Sequence, residues 1–217
     1  MVTRRGLIRL GILLERSEIL DFVKNMKTRD HVVLIFSDLQ DKRDVVFTYL
    51  KSGLEKGEAA AYVASQETPE EIRQAMTEFG IDVEGHERDG TLKVIDYRDW
   101  YIIDGKFDCF KTLSLWRELF EESKMKGFRG FRVTGETACF FDRNLLNELL
   151  GYERELHRVL DLPMTAICAY DSKMLVSKEE WFNVLIELLN THSTAIMLGP
   201  EGVGAVSPRN IIVGMKL

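Results

Sequence analysis

The chain has 217 residues, of which 45% are apolar and 29% charged, and its 29 basic and 35 acidic side chains leave a net charge of −6. That is an ordinary composition for one soluble α/β domain with a core large enough to fold alone. The acidic balance argues against the basic stripe a nucleic-acid-binding surface needs, and the sequence has no apolar run of about 18 residues that would span a membrane. The three cysteines, Cys109, Cys139 and Cys168, are widely spaced and form no CxxC pair. They read as reduced thiols of a cytoplasmic protein.

Arg4-Arg5 followed by the apolar stretch from Leu7 to Leu14 faintly resembles a signal peptide. Arg9 interrupts it, Glu15-Arg16 follows it and no small-x-small site appears, so a helix packed on the domain or on a partner is the better reading. Ser17 to Met26 has helical apolar spacing, with Ser17 at the N-cap. His31 to Phe36 is a continuous apolar strand of the kind covered on both faces. A helix from about Asp41 to Lys56 ends at Gly57, and Ala59 to Ser65 is the second strand. Thr68-Pro69-Glu70-Glu71 is a capping box that opens a helix stopped by Gly80. Leu92 to Tyr97 is the third strand. The insertion Arg98 to Phe107 carries Trp100, Tyr101 and a turn at Asp104-Gly105, as a lid or a packed excursion. A helix runs from Asp108 to about Lys126, and Phe131 to Thr134 is the fourth strand. Then come a helix from about Asp142 to Leu160, a strand from Met164 to Tyr170, a helix opened by Ser177-Lys178-Glu179-Glu180 and running to about Asn190, and a strand from Thr194 to Leu198. Gly199 to Gly204 reads as a flexible turn.

Strand–helix alternation at this spacing specifies a three-layer α/β fold: a mostly parallel sheet of about six strands with helices on both faces. The expected division is an N-terminal helical extension, 1–27, a domain, 28–200, and a C-terminal tail, 201–217. Ligands of such sheets bind beyond the carboxyl ends of the strands. A nucleotide-binding protein would follow the first strand with G-x-x-x-x-G-K-[ST]. Here Ser37-Asp38-Leu39-Gln40-Asp41-Lys42-Arg43-Asp44 has no glycine, and three aspartates stand where phosphates would sit.

The strand ends offer Ser37, Gln66, Tyr97, Trp100, Thr134, Glu136, Tyr170 and Asp171 as a polar rim with aromatic walls, the make-up of a small-molecule pocket. In Arg132-Val133-Thr134-Gly135-Glu136 the glycine would free the backbone to turn and aim the Glu136 carboxylate over the sheet edge. It would act there as a ligand anchor or general base, or else as a structural carboxylate. On the pocket reading Glu136→Gln would cost only about 0.5 kcal/mol. His31 reads as a hydrogen-bonded strand-start residue and His192 as a helix C-terminal cap. No histidine pair has metal-ligand spacing, so neither a metal nor a cofactor is expected.

The ordered segments His31 to Phe36, Gly53-Leu54-Glu55-Lys56-Gly57-Glu58 with Tyr62-Val63, Asp104-Gly105-Lys106-Phe107-Asp108, Arg132 to Glu136, Tyr152-Glu153, Ile167-Cys168-Ala169-Tyr170-Asp171 and Leu189-Asn190-Thr191-His192 resemble the MEDS family. This is the sensory domain of dichloromethane-regulator-type proteins of methanogens and methylotrophs, and the resemblance covers roughly residues 28 to 200. It implies an archaeal or bacterial source and a RecA/KaiC-like fold that has lost its phosphate-binding loop. It also implies a non-catalytic, cytoplasmic signal-transduction role in sensing a small molecule. Residues 1–27 are too short for a helix-turn-helix domain, so signalling is expected through a protein partner or a homo-oligomer. The alternatives are an enzyme using Glu136 as acid/base, helped by Asp171 or His192, and a RecA-like interaction module without a ligand.

Overall fold

Parallel strands buried largely on both faces organise the molecule. A computed structural model describes residues 12–159, 162–200 and 202–206. In chain order the elements are β1 (Ile12–Leu14), α1 (Arg16–Lys24), β2 (His31–Phe36), α2 (Leu39–Glu55), β3 (Ala59–Ala64), α3 (Pro69–Glu78), α4 (Val83–Arg88), β4 (Leu92–Asp96), β5 (Ile102–Ile103) and β6 (Lys106–Phe107). They continue with α5 (Cys109–Met125), β7 (Phe131–Glu136), α6 (Ala138–Asp142), α7 (Leu146–Val159), β8 (Met164–Asp171), α8 (Ser172–Val176), α9 (Trp181–Thr191), β9 (Thr194–Gly199) and β10 (Gly202–Val206). The main sheet has the order β1-β10-β9-β2-β8-β7-β3-β4. The run from β9 to β4 is parallel, as expected, and β10 and β1 add an antiparallel edge.

Side chains alternate across each strand, so the sheet separates two cores. Val32, Leu34 and Phe36 face α1, α2 and α3, where they meet Ile19, Val46, Leu50 and Ile72. Val33, Ile35, Ala166, Cys168 and Tyr170 face α5, α7 and α9, where they meet Trp116, Leu149, Tyr152 and Leu188.

Arg132 of β7, 2% exposed, ties the first of these layers together. Its guanidinium donates to the carbonyls of Val23 (3.2 Å), Lys24 (3.3 Å) and Tyr49 (2.9 Å) and to Ser52 Oγ (2.9 Å), and it pairs with Glu58. Gly53 makes the approach possible, because a Cβ there would lie 2.4 Å from Arg132 Cδ.

Several boundaries differ from the sequence expectation. Glu15, not Ser17, caps α1, in a reciprocal box with Glu18. The helix expected from Asp142 is interrupted at Asn144 (φ 55°), so α6 ends there and α7 begins at Leu146. Ser177 closes α8 instead of opening the next helix, which begins at Trp181 after Glu180. Residues 202–206 form β10, paired with β9 and β1, so the sheet runs past the expected limits at 28 and 200. Residues 12–14 form β1, and the rest of the apolar N-terminal stretch lies outside the described residues. Among the described residues no helix is long and apolar enough to cross a membrane.

Candidate functional site

The carboxyl ends of β2, β8, β7 and β3 lie side by side. Phe36 pairs with Asp171, so Ser37 emerges next to it, and both are half-buried. Gln66, just past β3, reaches across β7 and donates from Nε2 to Asp171 Oδ2 at 2.7 Å. Gln66 and Asp171 are therefore in contact and Ser37 lies beside Asp171, although Asp171 also caps α8 by accepting from the Lys173 amide.

Glu136 is placed differently from the expectation. Gly135 continues the strand instead of turning, so alternation sends Arg132, Thr134 and Glu136 toward α2. Glu136 is 1% exposed. Its carboxylate accepts from Tyr62 Oη (2.6 Å), from the amides of Ser65 (2.7 Å), Gln66 (2.6 Å) and Glu67 (3.3 Å), and from Lys42 Nζ. It is a buried structural carboxylate, one of the alternatives the motif left open. Gly135 serves close packing: a Cβ there would meet Tyr101 Oη at 2.2 Å. Thr134 is also internal and donates to the Ile167 carbonyl at 2.9 Å. Tyr170 points to the opposite core and donates to Glu153.

The segment after β2 begins a helix. Asp38 caps α2 by accepting from the amides of Gln40 (2.8 Å) and Asp41 (3.2 Å), the groups a phosphate would otherwise use. Lys42 is fully buried and divides its charge between Glu136 and Glu67 (2.6 Å). Burial raises the Glu67 pKa, but the hydrogen bond from Arg43 and the charge of Lys42 outweigh it and hold the carboxyl below its usual range.

Beyond β4 the insertion folds into the β5–β6 hairpin. Its turn has Asp104 at φ 52° and Gly105 at φ 76°, the two left-handed residues of a type I′ turn. Trp100 and Tyr101 are anchors: Trp100 packs edge-on against Trp116 (4.4 Å) and Tyr101 against Phe140 (5.2 Å). Tyr97 is half-buried at the start of this segment and packs on the same core. Between hairpin and α5 lies a cleft of about 300 Å³, walled by Trp100, Ile103, Asp104, Lys106, Lys111 and Thr112. The indole N–H of Trp100 is buried with no acceptor among the described residues.

A second constellation escaped the sequence reading. His31 at the start of β2, Cys168 on β8, Glu153 on α7 and His192 after α9 converge in the core facing α5, α7 and α9, and all four are buried. Glu153 Oε2 lies 3.6 Å from His31 Nε2, 3.5 Å from His192 Nε2 and 3.7 Å from Cys168 Sγ, and His31 Nε2 lies 3.3 Å from Cys168 Sγ. Burial pushes the Glu153 carboxyl up to about 7 and the Cys168 thiol well above its ordinary range.

The chain resembles in fold a crystal structure of a KaiC-like protein from Pyrococcus horikoshii OT3, with a TM-score of 0.56 and 16% identity over 78% of this chain and 71% of that one. Short stretches match UPF0273 proteins of Aeropyrum pernix (42% identity over 50 residues, 23% of this chain and 20% of the relative) and Pyrococcus furiosus (42% over 48 residues, 22% and 19%). The matched stretches cover about a fifth of those curated relatives. The family model described as the methanogen/methylotroph, DcmR sensory domain matches residues 30–193. The chain belongs to the MEDS family.

Proposed function

We propose that this chain is a non-catalytic, cytoplasmic sensory module that binds a small molecule at the carboxyl edge of its sheet and passes the signal to a protein partner. The observation that carries the ligand is the cleft beside the β5–β6 hairpin. Its volume is in the range of ligand pockets, Trp100 forms part of its wall, and the buried indole N–H of that residue is a donor with no acceptor among the described residues. Ser37, Gln66 and Asp171 offer further polar groups along the same edge. The phosphate-binding loop is degenerate on this reading. Asp38 takes up the amides at the start of α2, and Lys42 is committed to Glu67 and Glu136. The engagement of Glu136 by five protein donors supports a structural role for it over an acid/base one.

Native mass spectrometry of freshly purified protein tests the reading. A co-purified small molecule, lost on Trp100→Phe with the fold retained, is the expected result. No bound species, and no change in intrinsic tryptophan emission with any member of a metabolite panel, would overturn it.

A separate observation favours the protein partner. Val176, Trp181 and Phe182 are 58%, 39% and 50% exposed around the α8–α9 connection. Light scattering of wild type and Phe182→Ser would show a larger assembly that the substitution dissociates. A monomer in both would count against self-association through this surface.

A further inference from the structure

We propose that His31, Glu153, Cys168 and His192 form a four-ligand site for a divalent transition metal of the zinc class. The site is separate from the cleft and strand-end rim above. A tetrahedral zinc-class ion with bonds of about 2.0–2.3 Å sets its ligand atoms about 3.3–3.8 Å apart. The four separations among His31 Nε2, His192 Nε2, Glu153 Oε2 and Cys168 Sγ given above run from 3.3 to 3.7 Å. The remaining pairs of ligand atoms lie within 4.8 Å.

The side chains are also oriented toward one point. His31 Nδ1 lies 3.2 Å from the Thr191 carbonyl and His192 Nδ1 lies 2.7 Å from the Leu188 carbonyl. A carbonyl only accepts, so each Nδ1 carries a proton, and in the neutral imidazole Nε2 then presents a lone pair. Both lone pairs and Glu153 Oε2 therefore face the same point, which suits a cation. The outer oxygen of Glu153 accepts from Tyr170, which fixes the carboxylate plane. Backbone carbonyls behind each imidazole and a hydroxyl behind the carboxylate are the outer-shell partners that metal ligands require.

Charge balance favours a bound cation as well. All four residues are buried, where an uncompensated anion is costly. A divalent ion with one thiolate and one carboxylate is neutral, so the loaded cluster carries no net charge into the core. Two imidazoles and a thiolate favour zinc, cobalt or a similar borderline metal over magnesium or calcium. Four protein ligands leave no open position, which marks a structural site. It would fasten α7 and the end of α9 to β2 and β8.

The test is metal uptake by the full chain. After chelation and dialysis, Co²⁺ or Zn²⁺ should bind at about one equivalent per chain and raise the thermal midpoint. The Co²⁺ form should show a thiolate-to-cobalt charge-transfer band and the intense visible bands of tetrahedral cobalt. Cys168→Ser should abolish the charge-transfer band, and His192→Gln should weaken binding roughly 100-fold or more, since even outer-shell changes cost 10- to 100-fold. Cys109→Ser/Cys139→Ser, which keeps Cys168 as the sole thiol, should retain the band and guards against a Cys168 variant that fails to fold. Folded wild-type protein that takes up neither ion overturns the proposal. So does a cobalt complex without a thiolate band, or a band that survives in Cys168→Ser.

Discussion

At the scale of single residues, two neighbours on β7 carry opposite lessons about one motif. Glu136→Gln removes the charge facing Lys42 and one of the two oxygens that accept from Tyr62 and three amides. Breaking a buried ion pair costs about 3–5 kcal/mol, so a urea midpoint far below wild type is expected. The sequence reading, with the residue at a solvent-facing strand end, gives about 0.5 kcal/mol. Gly135→Ala should destabilise by about 1–3 kcal/mol, the usual cost of overpacking, because its Cβ meets Tyr101 Oη. Tyr101→Phe removes that oxygen and leaves the nearest ring carbon at 3.4 Å. The double variant should therefore recover most of the loss, and simple additivity in the denaturation cycle would contradict this role for Gly135. The motif was legible as special, but the direction of its carboxylate was not. A glycine that turns and a glycine that admits a neighbour look the same until the strand's end is known. The four residues of the buried His-Glu-Cys-His cluster were legible only as members of four separated segments. Ligand spacing is a local test, and they meet through strand pairing and helix packing.

At the scale of elements, the parallel strands and the long helices followed from apolar runs, capping residues and glycine stops. Short pieces did not: α4, α6, α8 and β1 each have too few residues to show a period. β10 was hidden by glycines that read as a turn. Gly53 offers a sharp test of packing against propensity. Alanine inside a helix is normally about 1 kcal/mol better than glycine. Here its Cβ would collide with Arg132, whose guanidinium holds the end of α1 to α2. Gly53→Ala should lower the thermal midpoint, and a rise would show that Arg132 moves aside freely. The end of α5 gives a pH test. Hydrogen bonds from Lys126 and Lys93 hold the half-exposed Glu122 carboxyl down to about 2. A carboxyl depressed in the folded state adds stability above its unfolded value and loses it as pH falls. The stability gap between wild type and Glu122→Gln should be full above about pH 4.5 and close as pH approaches about 2. A gap that widens on acidification would contradict the assignment.

At the scale of the whole molecule, the fold is that of a KaiC-like protein, while the groups at the start of α2 are spent internally. Asp38 occupies the helix amides, and Lys42, the one lysine of the segment after β2, is shared by two carboxylates. The architecture was readable from strand–helix alternation and the missing glycine loop, because both are local patterns repeated along the chain. The partners of Lys42 were not readable, since Glu67 and Glu136 reach it from two other strand ends. The central claim is that this sheet edge serves a sensor and not a nucleotide. Isothermal titration of the full chain with Mg-ATP tests it most directly. The account predicts no saturable heat and no hydrolysis. A Kd in the low micromolar range would contradict it.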